Sequence, residues 1–106
     1  MNIKELTKEI HENAVKHGWW EENKTFGDII ALCHSELSES LEAYRNNEPL
    51  VWDNRGKPDG LAIELADCII RILDYCGHQN IDIEQAILIK HEYNKSRSYR
   101  HGGKVI

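Results

Sequence analysis

Two acidic pairs, Glu36 with Glu39 and Glu64 with Asp67, are the residues of this chain best placed to do chemistry. In a helix, a spacing of i, i+3 sends both side chains to nearly the same place. Four carboxylates converging in a helical interior repel one another and lose hydration, at a cost on the order of several kcal/mol for each buried charge left uncompensated. Either they hold protons or a cation neutralises them. All-oxygen ligation without histidine or cysteine favours a hard cation, Mg²⁺ or Mn²⁺, over zinc. A di-iron centre of the ferritin type takes Glu-x-x-His pairs, and the sequence has none. Ions held in this way bind phosphate oxygens and acidify a coordinated water, so phosphoryl chemistry is the natural use. Glu-x-x-Glu also arises by chance, and on spacing alone the pairs serve equally well as solvated faces of surface helices.

The elements that would carry these residues are helical. Ile3, Leu6, Ile10 and Ala14 keep a three-to-four spacing over residues 2–17, and Gly18 closes that stretch. Phe26, Ile29, Ile30, Cys33, Leu37, Leu41 and Tyr44 predict a second, long helix from Thr25 or Phe26 to about Arg45. Residues 46–60 hold both prolines and two glycines with no sustained period and read as a loop. A third helix is predicted from Leu61 to Cys76, with Gly77 as its stop. It is apolar over most of its girth, which predicts a central position, and Gly60, Glu64, Asp67, Arg71 and Asp74 form its polar stripe. Asp82 reads as the N-cap of a fourth helix running to about Ser98, with Ile83, Ala86, Ile87 and Tyr93 facing inward. The expected fold class is all-α, one four-helix domain over residues 1–106.

With 106 residues and 41% of them hydrophobic, the chain can bury only a modest core alone, which makes self-association plausible. Charged residues interrupt every apolar run before a membrane-spanning length, and the first residues lack the pattern of a leader, so a soluble, cytoplasmic protein with no membrane partner is expected. Cys33, Cys68 and Cys76 lack metal-ligand spacing and read as reduced, partly buried thiols. Residues 1–89 carry 17 acidic against 8 basic residues, whereas residues 90–106 carry 5 basic against 1 acidic. An acidic body with no basic recognition helix argues against a nucleic-acid partner, and a local basic strip suits a small phosphorylated ligand.

Lys90, Asn94 and Arg97 fall at i, i+4, i+7 on the fourth helix, where one face can reach a triphosphate; a solvated basic face is the plainer reading of that spacing. Trp19, Trp20 and Trp52 are candidates to stack on a base, although each is as a type more often core or interface. His17, close to the tryptophans, could touch a base edge, and His11, His34, His78 and His91 read as structural or exposed.

The stretch Leu32-Cys33-His34-Ser35-Glu36-Leu37-Ser38-Glu39-Ser40-Leu41-Glu42-Ala43 resembles the first metal motif, Glu-x-x-Glu, of MazG-like pyrophosphohydrolases. Residues 57–71, from Lys57-Pro58-Asp59-Gly60 through Glu64 and Asp67 to Arg71, resemble the second, Glu-x-x-Asp. The tail from Tyr93 to Lys104 is similar to the family's basic closing segment. The resemblance implies a four-helix fold, usually dimeric or tetrameric, as in small dCTP pyrophosphatases. It implies Mg²⁺-dependent cleavage of a (deoxy)nucleoside triphosphate between the α and β phosphates, with Glu36, Glu39, Glu64 and Asp67 on the metal. It reverses the plainer reading of the fourth helix, so that Lys90, Asn94 and Arg97 meet the phosphates, with Arg100 and Lys104 closing over them from the terminus. Glu36 borders the apolar face beside Cys33 and Leu37, which selects it as the carboxylate that orients or deprotonates the attacking water. The alternative is a catalytically weak nucleotide- or metal-binding helical module that acts through oligomerisation.

Overall fold

The structure, a computed structural model, describes residues 1–97; Arg100 and Lys104 lie outside the described residues. Helix α1, Ile3–Lys16, starts where the Asn2 side chain accepts from Glu5 N–H at 2.7 Å and ends before Gly18, whose φ of +82° turns the chain away. Helix α2, Phe26–Arg45, begins with a reciprocal box: Asp28 N–H donates to Thr25 Oγ1 at 3.1 Å, and Thr25 N–H donates to Asp28 Oδ2 at 2.9 Å.

The segment expected to be a loop contains a short hairpin, β1 Trp52–Asn54 and β2 Lys57–Asp59, paired antiparallel with Trp52 opposite Asp59. Its turn places Arg55 and Gly56 both at positive φ, 56° and 88°, the twist a two-residue hairpin requires. Strands this short offer too little alternation to be read from sequence. Gly60 then passes into α3, Leu61–Gln79, at a φ of +118°. A Cβ there would stand 2.5 Å from Pro49 O, so the hairpin can lie against the end of the preceding loop only through glycine.

Helix α3 is central among the described helices, packing on α2 and on α1, as its composition predicted. It does not stop at Gly77 but runs on to Gln79, with Asn80 as the left-handed cap. The glycine serves packing instead: a Cβ at Gly77 would sit 2.6 Å from His11 Cβ, where α1 crosses closely. The core joins Ile29, Cys33 and Cys68 with Trp20 and Tyr75 against them, and the three thiols are free and buried. A polar network ties α1 to α3. Buried Asp74 accepts from His11 Nδ1–H at 2.8 Å and from Trp20 Nε1–H at 2.9 Å, and His78 stacks on Trp20 at 3.8 Å.

Helix α4, Ile83–Ser96, departs most from expectation. It packs on α1, where Lys4 N–H donates to Glu84 Oε1 at 3.2 Å, and none of its residues is buried. Ile83 is half-buried, while Ala86, Ile87 and Tyr93 face outward rather than inward. The described chain is therefore all-α apart from the hairpin, with α4 laid on a three-helix body instead of closing it. No helix of the described residues is long and apolar enough to cross a membrane.

Candidate metal centre

The side of α2 that meets α3 buries Ile29, Cys33, Glu36, Ser40 and Ala43 in succession, so Glu36 enters the helix interface on the same stripe as the core residues. From the facing helix, the polar stripe of α3 points inward: Asp74 is buried and Glu64, Asp67 and Arg71 are half-buried, while apolar Leu65, Ile69 and Ile72 are left exposed. The outcome is that one carboxylate oxygen from each of Glu36, Glu64 and Asp67 lies within 4.8 Å of the others. Glu39, exposed one turn beyond Glu36, brings its carboxyl to hydrogen-bonding range of Glu64. Asp59, which the sequence analysis did not single out, does the same from the hairpin. Asn54 Nδ2–H donates to Asp59 Oδ2 at 3.2 Å and Gly60 N–H to its Oδ1 at 3.2 Å, which hold the carboxylate in the ionised form and below the usual range.

Glu64 is the least compensated of these acids. Burial, then the neighbouring Glu39 and Asp67, push its carboxyl from an ordinary 4.5 up to about 7. Its Oε2 is shut off from solvent and, among the described residues, meets no donor. Asp67 is pushed up by burial and by the charge of Glu36, against the opposing pull of Arg71 and Lys57. Glu36 has a partner: Arg71 Nε–H donates to its Oε1 at 2.8 Å, and Nη2 forms an ion pair with the same oxygen at 2.8 Å. An acid cluster with a single arginine against it and one oxygen orphaned inside it has the donor chemistry that a hard divalent cation takes.

A cleft of about 780 Å³ opens beside the cluster between α1 and α3, with Glu36, Asp67, Arg71, His17, Trp19 and Asn13 in its lining and Leu6, Ile10, Ala14 and Ile70 as apolar wall. That volume lies within the ~300–1,000 Å³ of small-molecule sites. Trp19 is flanked by cations, with Lys24 Nζ 4.4 Å and Arg71 Cζ 4.9 Å from its ring centre. His17 donates from Nδ1 to Asn13 O at 2.8 Å, which leaves Nε2 as the acceptor of the neutral ring.

The other residues named from sequence are distributed unevenly around this site. Trp20 does not line the cleft, because its indole N–H is held by Asp74 and its face by His78. Trp52 lies on the hairpin, bonded through Nε1–H to Glu48 Oε1 at 2.9 Å, and is likewise absent from the cleft. Lys90, Asn94 and Arg97 do not line it either: α4 runs along α1, and Lys90 and Arg97 lie over the Tyr93 ring at 4.8 and 5.6 Å. The i, i+4, i+7 spacing does put these three on one face, but where that face points depends on how α4 docks. The acids and two of the four base candidates thus come together within one chain, and the cations of α4 do not join them. No family model matches the chain, and neither the curated proteins nor the solved structures contain a match to it.

Proposed function

We propose that this chain is a magnesium-dependent nucleoside triphosphate pyrophosphohydrolase of the MazG-like kind, which cleaves (deoxy)nucleoside triphosphates between the α and β phosphates to a monophosphate and pyrophosphate. The observation that carries the reading is the convergence of Glu36, Glu64 and Asp67 within 4.8 Å, with Glu39 and Asp59 at their rim, beside a cleft lined by an indole and an imidazole. Glu36, Glu39, Glu64 and Asp67 would hold the ion. Mg²⁺, or Mn²⁺ in its place, would supply charge for the phosphate oxygens and make a water more acidic.

The chain's own residues orient and exclude. Trp19 and His17 line the cleft, and His17 Nε2 is an acceptor for a base entering it. Glu36 remains the choice for the carboxylate that takes a proton from water, now on grounds of position. It lines the cleft with Asp67, whereas Glu64 faces Glu39 and Asp59 and does not. The argument from its apolar border lapses, since Arg71 gives Glu36 an opposite charge.

A homodimer or homotetramer belongs to this reading. The accessible surface is 8297 Å², against roughly 6,100 Å² expected of a folded monomer of this mass, and the excess is larger than the ~800 Å² that a standard interface takes from each partner. Leu37, Leu41, Leu65, Ile69, Leu88 and Ile89 are the exposed apolar residues that such an interface would take. The rival binding module is favoured by one observation, that Lys90 and Asn94 do not line the cleft of their own chain. Pyrophosphate release measured over the common deoxynucleoside triphosphates with Mg²⁺ separates the two. In ¹⁸O-labelled water the label is expected in the monophosphate; label in pyrophosphate, or diphosphate and orthophosphate as products, overturns the cleavage site.

A further inference from the structure

Arg71 stands one turn after Asp67 on α3 and crosses to α2, where Glu36 Oε1 accepts from its Nε–H at 2.8 Å and pairs with Nη2, also at 2.8 Å. The Arg71 side chain is 26% exposed and that of Glu36 only 9%, so this ion pair is largely sheltered from solvent screening. The guanidinium also lies 4.9 Å from the centre of the Trp19 ring, and both residues line the cleft. A guanidinium carries five donors in a planar fork. Glu36 takes the Nε–H and lies against Nη2, and no described residue accepts from Nη1, so part of the fork remains for an anion in the cleft.

We propose that Arg71 is a positioning residue that exchanges partners: it neutralises Glu36 while no divalent cation is bound, and turns to the phosphate chain of the substrate once the cation takes Glu36. The inference rests on the metal centre proposed above. A sheltered carboxylate is costly without a counter-charge, and an arginine and a divalent ion cannot both occupy Oε1. They therefore compete for Glu36, and the displaced guanidinium, kept near by its cation–π contact with Trp19, is an arginine fork suited to phosphate. Ion and phosphate then strengthen each other's binding, since each favours the same arrangement of Arg71.

The test follows Mn²⁺ binding by electron paramagnetic resonance, first alone and then with inorganic triphosphate. Arg71→Gln is expected to bind Mn²⁺ alone about 10-fold more tightly than the unaltered chain, because a competing charge at contact distance is gone. It is expected to bind triphosphate in the presence of Mn²⁺ on the order of 10-fold more weakly, having lost a charge-assisted fork. Shifts of opposite sign are the signature, since a residue that only supports the fold weakens both. Arg71→Lys keeps the charge but not the fork. It should move both affinities in the same directions by smaller factors, and it carries the test if Arg71→Gln does not fold. Unchanged or weaker Mn²⁺ binding in the variants overturns the exchange. Failure of the metal centre itself reads differently: the unaltered chain would bind no Mn²⁺, or would bind it indifferently to Glu64→Gln and Asp67→Asn, and the proposal falls with the centre.

Discussion

Glu64→Gln should stabilise the chain when no divalent ion is present. The folded protein raises this carboxyl from an ordinary 4.5 to about 7, through burial and then through Glu39 and Asp67. Between those two values the folded chain keeps a proton that the unfolded chain has released, so stability falls as pH rises through that window and stays low above it. The full displacement corresponds to at most ~3 kcal/mol. Glu64 is only half-buried, and screening reduces the working figure to about 1–2 kcal/mol. For a domain of this size that is a rise in Tm of roughly 4–12 °C at pH 8, shrinking to nothing below pH 4.5. Urea or thermal unfolding in a chelator, run from pH 5 to pH 8 on both proteins, measures it. Saturating Mg²⁺ should reverse the order, because an ion that binds only the folded state stabilises it, and the glutamine variant binds that ion poorly. A variant less stable at pH 8 without metal would refute the reasoning, since Glu64 would then be a structural partner rather than an uncompensated charge.

Three further outcomes follow from the same geometry. Asp74→Ala leaves His11 Nδ1–H and Trp20 Nε1–H without their acceptor, and should cost about 3 kcal/mol in chemical denaturation. Gly77→Ala should lower stability by about 1–2 kcal/mol although alanine is the better helix former, because overpacking outweighs propensity where the new Cβ would stand 2.6 Å from His11 Cβ; a gain would show that α1 moves aside freely. Light scattering at micromolar concentration should show a dimer or tetramer that Ile69→Glu weakens, and a 12.3 kDa monomer alone would refute assembly.

What the sequence determined by itself is local. The N-cap at Asp82, the helical periods, and the i, i+3 spacing of both acid pairs follow from rules that act within a few residues, and the structure has four helices over those periods, although α3 runs past the expected stop at Gly77 to Gln79. The tertiary structure decided whatever depends on where one element lies against another. Trp19 and Trp20 are neighbours in sequence with opposite fates, one in the cleft and one held by Asp74 and His78, because the turn at Gly18 sets which ring points which way. Asp59 reaches Glu64 only through the hairpin and the turn at Gly60. The polar stripe of α3 was legible, but that it faces inward and leaves Ile69 and Ile72 outside was not. Nor was the docking of α4 on α1, which draws Lys90 and Asn94 away from the acids of their own chain. Periodicity fixes which residues share a face; which face is covered is settled by the packing of surfaces far apart in sequence, and in this chain much apolar surface is still exposed after that packing.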